Sequence, residues 1–280
     1  MGLVGCFVSP HPPIVVPEVG GGRAAQAAAT VAGMHRLGNE ARELAPDIIV
    51  IMSPHAPIDA SSMGVSVAAT CEGSLARFGA PQVRFSLRGH AALSESILEQ
   101  ASILGVPAAP VTGRRDVLEL DHGCLVPLAF VVPGLAAPPR LVVLSFSFLG
   151  IDQHTAFGEA IGAAIDASAA RVLYIASGDL SHRLIPDAPA GYSPRAADFD
   201  RRVVETFAAA DGPGLLEIPA GLQREAGECG YRSLVTLFGL LRGRSCDTEV
   251  FSYEGPWGVG YLVGAVRIPT EDAGTVGEGA

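Results

Sequence analysis

The sequence predicts an α/β fold of three layers, α/β/α, with helices on both faces of a mixed central sheet. Three observations predict it. Four apolar runs rich in Val, Ile and Leu stand at 3–8, 47–52, 141–147 and 171–176, the pattern of strands buried on both faces. Ala- and Leu-rich segments of helical character, such as 24–44, 91–103 and 154–169, lie between or after these runs. Three of the runs are followed within a few residues by a histidine, and in open α/β sheets ligands bind at the carboxyl ends of the strands.

In chain order, the run Leu3 to Val8 leads into Ser9-Pro10-His11-Pro12-Pro13. The helix expected over 24–44 places Met34, Leu37 and Leu44 at helical spacing, and Pro46 marks its end. The run Asp47 to Met52 leads into Ser53-Pro54-His55-Ala56-Pro57. Residues 64–70 and 82–87 read as shorter strands around a Gly-containing turn, and 91–103 as a helix. The strand at 171–176 runs into Ser177-Gly178-Asp179-Leu180-Ser181-His182. A long stretch with Pro186, Pro189, Gly191 and Pro194 follows, either a lid beside a site or a plain surface connection. Helices are expected near 196–209 and 228–241, then a hairpin of 248–254 with 258–267 across Gly255-Pro256-Trp257-Gly258. The antiparallel pairs make the sheet mixed. The tail from Thr270 to Ala280 reads as disordered, and no linker splits the rest, so 1–269 is expected to be one domain.

Composition excludes several classes. The 280 residues are 49% hydrophobic, ample for one large core. The net charge of −10 with no basic stripe argues against nucleic acid as a partner. No apolar run approaches the ~20 residues of a membrane span, and none points to a membrane partner. The first basic residue is Arg23, so the start lacks the charged region of a signal peptide and a cytoplasmic location is expected. There is no lysine, which excludes a Schiff base, a P-loop lysine and a lysine general base. The five cysteines are odd in number and form no CxxC pair, so reduced thiols are expected, with Cys6 and Cys124 as small core residues.

The repeated Ser-Pro-His carries the strongest chemical signal. Imidazole is a good ligand for Fe, Zn, Cu and Ni, and flanking prolines hold a loop in place at little entropic cost. One such histidine reads as a loop cap; two copies after two buried strands favour His11 and His55 as metal ligands. His122, in Asp121-His122-Gly123-Cys124, suits either a substrate-binding role with its other nitrogen held, or a structural place beside an N-cap aspartate. His182 suits either proton transfer, with Asp179 orienting it, or a third ligand. Glu228 and Cys229 sit at the start of the apolar helix 231–241. Glu228 would complete two histidines and one carboxylate around Fe(II), Cys229 would favour a softer ion, and a structural cap is the rival role for Glu228. Spacing does not choose among them.

With SPHPP, SPHAP, DHGCLVPL, SGDLSH and ECG in this order, the chain resembles the class III extradiol ring-cleavage dioxygenases of the catalytic B-subunit, LigB-like type. It is closest to their stand-alone bacterial branch, through Glu228 to Ser233 and Ser252 to Tyr261. The resemblance implies one non-haem Fe(II) held by His11, His55 and Glu228, with His182 as acid–base residue and His122 in the substrate pocket; from the residues themselves, Asp121 and Asp179 are expected to bind substrate beside His122. It implies O2 and a catechol-like or aminophenol-like aromatic as reactants, and a homodimer or a small lid subunit as the partner to look for. Cys229-Gly230 is also similar to the Memo-like branch of the superfamily, which implies a metal-binding or redox protein without ring cleavage.

Overall fold

The structure is a computed structural model and describes residues 2–269; the expected tail of 270–280 lies outside the described residues. The strands are β1 (Gly2–Ser9), β2 (Ile48–Ser53), β3 (Met63–Ser66), β4 (Thr70–Leu75), β5 (Ala80–Arg88), β6 (Ala108–Val111), β7 (Val117–Glu119), β8 (Arg140–Ser145), β9 (Arg171–Ser177), β10 (Asp247–Glu254) and β11 (Tyr261–Arg267). The helices are α1 (Pro17–Gly20), α2 (Ala28–Leu44), α3 (Ala91–Ile103), α4 (His122–Val131), α5 (Ile151–Asp166), α6 (Ala196–Ala208), α7 (Gly212–Leu216), α8 (Ala220–Ala226) and α9 (Tyr231–Leu240).

Eight strands form one mixed sheet in the order β10-β11-β1-β9-β2-β8-β3-β6, and β5-β4-β7 form a second, three-stranded sheet. The four apolar runs become the adjacent strands β1, β9, β2 and β8, all mutually parallel. Successive side chains of a strand point to opposite faces, so a run buried on both faces feeds two cores. Ile48, Val50 and Met52 of β2 pack with Phe157 and Ile161 of α5, Leu234 and Leu237 of α9, and Ile97 of α3. Ile49 and Ile51 pack on the other side with Met34 and Leu37 of α2, Leu125 and Leu128 of α4, and Cys71 and Leu118 of the small sheet. The three layers are therefore as expected, but one outer layer is part helix and part sheet. Among the described residues, no helix is long and apolar enough to cross a membrane.

Three elements depart from the sequence pattern. The run 64–70 divides: β3 joins the main sheet beside β8, and the chain then crosses to β4, which pairs with β5. The segment before α2 is a 3-10 turn, Gly21–Ala27, and α2 has no side-chain cap of its own. Glu254 of β10 supplies one, accepting from both the backbone N–H and the hydroxyl of Thr30 at 2.6 Å. The last helix starts at Tyr231, three residues after the coarse bound of 228, so Glu228 and Cys229 stay in the loop that meets β9.

That meeting depends on two glycines. A Cβ on Gly178 would lie 2.2 Å from Gly230 Cα, closer than any side chain allows. Gly178→Ala is therefore expected to push the two loops apart and to lower stability by about 1–3 kcal/mol, the usual cost of overpacking, measurable by urea denaturation. An unchanged midpoint would show that the loops are not in contact.

Candidate metal centre and active-site cleft

The parallel strands deliver their carboxyl ends to one edge, and the loops there bring the predicted histidines together. His11 and His55 face one another with their Nε2 atoms 3.1 Å apart. The ring of His122, at the first turn of α4, lies 4.2 Å from that of His55 and 5.3 Å from that of His11, centroid to centroid. Asp121 caps α4 by accepting the Cys124 N–H at 3.2 Å and also accepts the Ser53 hydroxyl at 2.7 Å, tying α4 to the end of β2.

On the other side of His11 stand Asp179 and Cys229. Asp179 Oδ1 accepts the His11 backbone N–H at 2.9 Å, and its Oδ2 lies 3.8 Å from His11 Nε2. Cys229 Sγ is 3.7 Å from His11 Nε2 and accepts the Asp179 N–H at 3.3 Å. Two groups of donor atoms result, His11 with His55 and His122, and His11 with Asp179 and Cys229, each with its atoms within 4.8 Å of one another. His11 is common to both.

Glu228 belongs to neither group. Its Oε2 accepts the Tyr231 N–H at 2.7 Å, so it caps α9. The geometry therefore turns the next residue, Cys229, toward His11, a choice that spacing alone left open. His182 also stands outside both groups, with Nε2 3.9 Å from Asp179 Oδ2 and a side chain that is 23% exposed.

Burial sets the electrostatics. It pushes the Asp179 carboxyl up to about 6, with the His11 N–H and the nearby histidines acting in the opposite sense. It pushes Glu228 up to about 7 against the Tyr231 N–H, and drives the Cys229 thiol well above its ordinary value. It holds His11 well below the ordinary histidine value, helped by His55 and His122, and lowers His122 as well. The neutral imidazoles of His11 and His122, beside carboxyls and a thiol that resist ionisation, form a site that a cation would complete, because its charge favours each donor's deprotonated form. The donor chemistry and its convergence fit a transition metal.

A cleft of about 880 Å³ opens beside His55 and His122. Its far wall is the small sheet and the turn between its strands, with Phe78, Phe85, Arg77 and Arg84. Phe78 meets His122 edge-on at 5.6 Å. In the sequence this wall is signalled only by the pair of short strands, and the carboxylate behind His182 by no motif. Asp200 of α6 is fully buried, accepts the Ser181 N–H at 2.8 Å and the Tyr253 hydroxyl at 2.7 Å, and so pins the turn next to His182 to the hairpin.

Burial pushes Asp200 up to about 6 from 3.8, outweighing those two bonds. Near pH 5 the folded protein then holds a proton that the unfolded chain has released. Stability from this group is accordingly greatest at acid pH and falls as pH rises from about 4 to about 6, by up to ~1.4 kcal/mol per pH unit. Asp200→Asn is expected to flatten that slope, read from denaturation midpoints between pH 4 and pH 7. An unchanged slope would show that Asp200 does not titrate there.

The family profile described as the catalytic LigB subunit of aromatic ring-opening dioxygenase matches residues 5–264. Protein CA_C1420 of Clostridium acetobutylicum is 34% identical over 270 residues, covering 94% of this chain, which spans 57% of that relative's length. The 3,4-dihydroxyphenylacetate 2,3-dioxygenase of Escherichia coli is 26% identical over 235 residues, 79% of this chain and 83% of the relative. The crystal structure of the uncharacterized protein JW3007 from Escherichia coli K12 shares the fold, with a TM-score of 0.64, 17% identity, and coverage of 94% of this chain and 99% of that one. With nearly its whole length matched, the chain belongs to the family of catalytic LigB subunits of aromatic ring-opening dioxygenases.

Proposed function

We propose that the protein is an Fe(II)-dependent extradiol dioxygenase that opens a catechol-like or aminophenol-like ring with O2. The observation that carries this reading is the 3.1 Å approach of His11 Nε2 and His55 Nε2 beside a cleft large enough for a substituted aromatic. His11 and His55 would hold the metal. The resemblance puts the third ligand at Glu228; the geometry favours Asp179, the carboxylate that already stands 3.8 Å from His11 Nε2. When bound, the metal would supply the Lewis-acid and redox chemistry that brings diol and O2 together.

The chain's own groups do the rest. His122 and Phe78 offer an edge and a face against which an aromatic ring can lie, and His122 can hydrogen-bond a diol oxygen. His182, partly exposed and within reach of Asp179, takes a proton from a substrate hydroxyl and returns one as the ring opens. The loop after His182 is held to the hairpin, where the Leu184 N–H bonds the Gly258 carbonyl at 3.0 Å.

One observation favours a second reading. Cys229 Sγ lies as close to His11 Nε2, at 3.7 Å, as Asp179 Oδ2 does. A sulfur ligand would suit a Memo-like metal-binding or redox protein without ring cleavage. The test is to load the protein anaerobically with Fe(II), add a panel of catechols and aminophenols, and then admit O2. Oxygen uptake matched by a yellow ring-opened product supports the dioxygenase. Bound metal without uptake across the panel favours the second reading.

A further inference from the structure

The four central strands end on serines at one level of the sheet. In the parallel register Ser9 of β1 stands beside Ser177 of β9, and Ser53 of β2 beside Ser145 of β8. All four are buried. Their hydroxyls leave the sheet and hold the loops of the site. Ser145 donates to the Pro57 carbonyl at 2.7 Å, behind the His55 loop. Ser53 accepts the His55 N–H at 3.2 Å while donating to Asp121. Ser177 alone among them touches an imidazole ring, with Oγ 3.0 Å from His11 Nδ1.

Counting protons around Ser177 decides which way its bonds run. A serine hydroxyl has one proton and accepts with its lone pairs. Ser177 Oγ lies 2.6 Å from the Gly123 carbonyl oxygen, which can only accept, so the hydroxyl proton goes there. Oγ must then accept from His11 Nδ1–H. Neutral His11 has no second proton, and its Nε2 is left as a bare lone pair facing His55, Asp179 and Cys229. The contact between the two histidines agrees. Two Nε2 atoms 3.1 Å apart need one proton between them, and it falls to His55.

We propose that Ser177 is a positioning residue that sets the tautomer and ring orientation of His11 and, through the Gly123 carbonyl, ties that ring to the first turn of α4, where His122 stands. Its purpose rests on the metal-centre reading above; the tautomer itself does not. Metal-binding histidines are commonly held by an acceptor at the far ring nitrogen, and loss of that partner typically costs ten- to a hundredfold in metal affinity. Here the acceptor is a hydroxyl, and the Gly123 carbonyl, by taking its proton, fixes it in that role.

The experiment is nitrogen-15 NMR of the histidine side chains in the metal-free protein, for wild type, Ser177→Ala and Ser177→Thr, followed by zinc titration against a chromophoric chelator. Wild type is expected to show His11 protonated at Nδ1 and bare at Nε2. Ser177→Ala is expected to shift His11 toward the Nε2-protonated form and to weaken zinc binding ten- to a hundredfold, and Ser177→Thr, which keeps the hydroxyl, to restore most of both. A wild-type His11 that carries its proton on Nε2 overturns the proposal whatever the variants do, including a variant that does not fold. So does an alanine variant with the wild-type tautomer and zinc affinity. If zinc does not bind wild type at all, the metal-centre reading falls, and the NMR result still decides the role of Ser177.

Discussion

Replacing His11 with alanine is expected to abolish specific metal binding, with an affinity loss on the order of a thousandfold. The reason is topological. His11 is the one residue common to both donor groups, standing between His55 and His122 on one side and Asp179 and Cys229 on the other. A transition-metal site held by a few protein donors binds with roughly 10–16 kcal/mol when fully formed, so one ligand's share is about 3–4 kcal/mol. A thousandfold corresponds to about 4 kcal/mol. The loop should survive the change. The backbone N–H of His11 remains bonded to Asp179 Oδ1, and prolines flank it on both sides. Chelator competition measures the loss, and His35→Ala, an exposed histidine on α2, is the control that should bind as wild type does. Equal affinity for the His11 variant and wild type would place the metal elsewhere.

His182→Ala is expected to separate binding from turnover. The variant should retain its metal, because His182 belongs to neither donor group, and should lose about 10²–10⁴-fold in ring-opening rate, the range of a general acid–base residue. The fold places this residue without using its ring. The His182 N–H bonds the Ala226 carbonyl at 3.0 Å, and its carbonyl accepts from Ala190 at 3.2 Å, so the loop keeps its shape when the ring is removed. His182 Nδ1 is buried with no partner among the described residues, which leaves Nε2, 3.9 Å from Asp179, as the nitrogen that can exchange a proton with a substrate. Oxygen uptake and metal content, measured on the same sample, separate the outcomes. Wild-type turnover would remove His182 from the chemistry, and lost metal would make it a ligand.

The sheet and the helices around it were legible in the sequence because periodicity reports burial. Four double-faced apolar runs became four adjacent parallel strands, and the helix expected over 91–103 has those bounds. Strand-to-strand partnership is not local information, so the run 64–70 gave no sign that it would split between two sheets. The histidines were legible as a set because each follows a strand end, and strand ends of parallel neighbours share an edge. What the pattern could not say was which neighbouring side chain turns inward. Glu228 and Cys229 are adjacent in sequence, and the outcome depends on a three-dimensional fact, the start of α9 at Tyr231, whose free N–H draws the Glu228 carboxylate away. The strand-end serines were visible in the sequence as Ser9, Ser53, Ser145 and Ser177. Their meaning needed the register that lines them up.

The most direct measurement of the central claim is X-ray absorption at the iron edge of the anaerobically Fe(II)-loaded protein. The expected spectrum shows iron with two imidazole neighbours and a remaining shell of oxygen, a signal lost in His11→Ala. A sulfur neighbour at bonding distance would contradict the dioxygenase assignment in favour of Cys229 and the redox reading. An iron with no imidazole neighbours would contradict the metal centre itself.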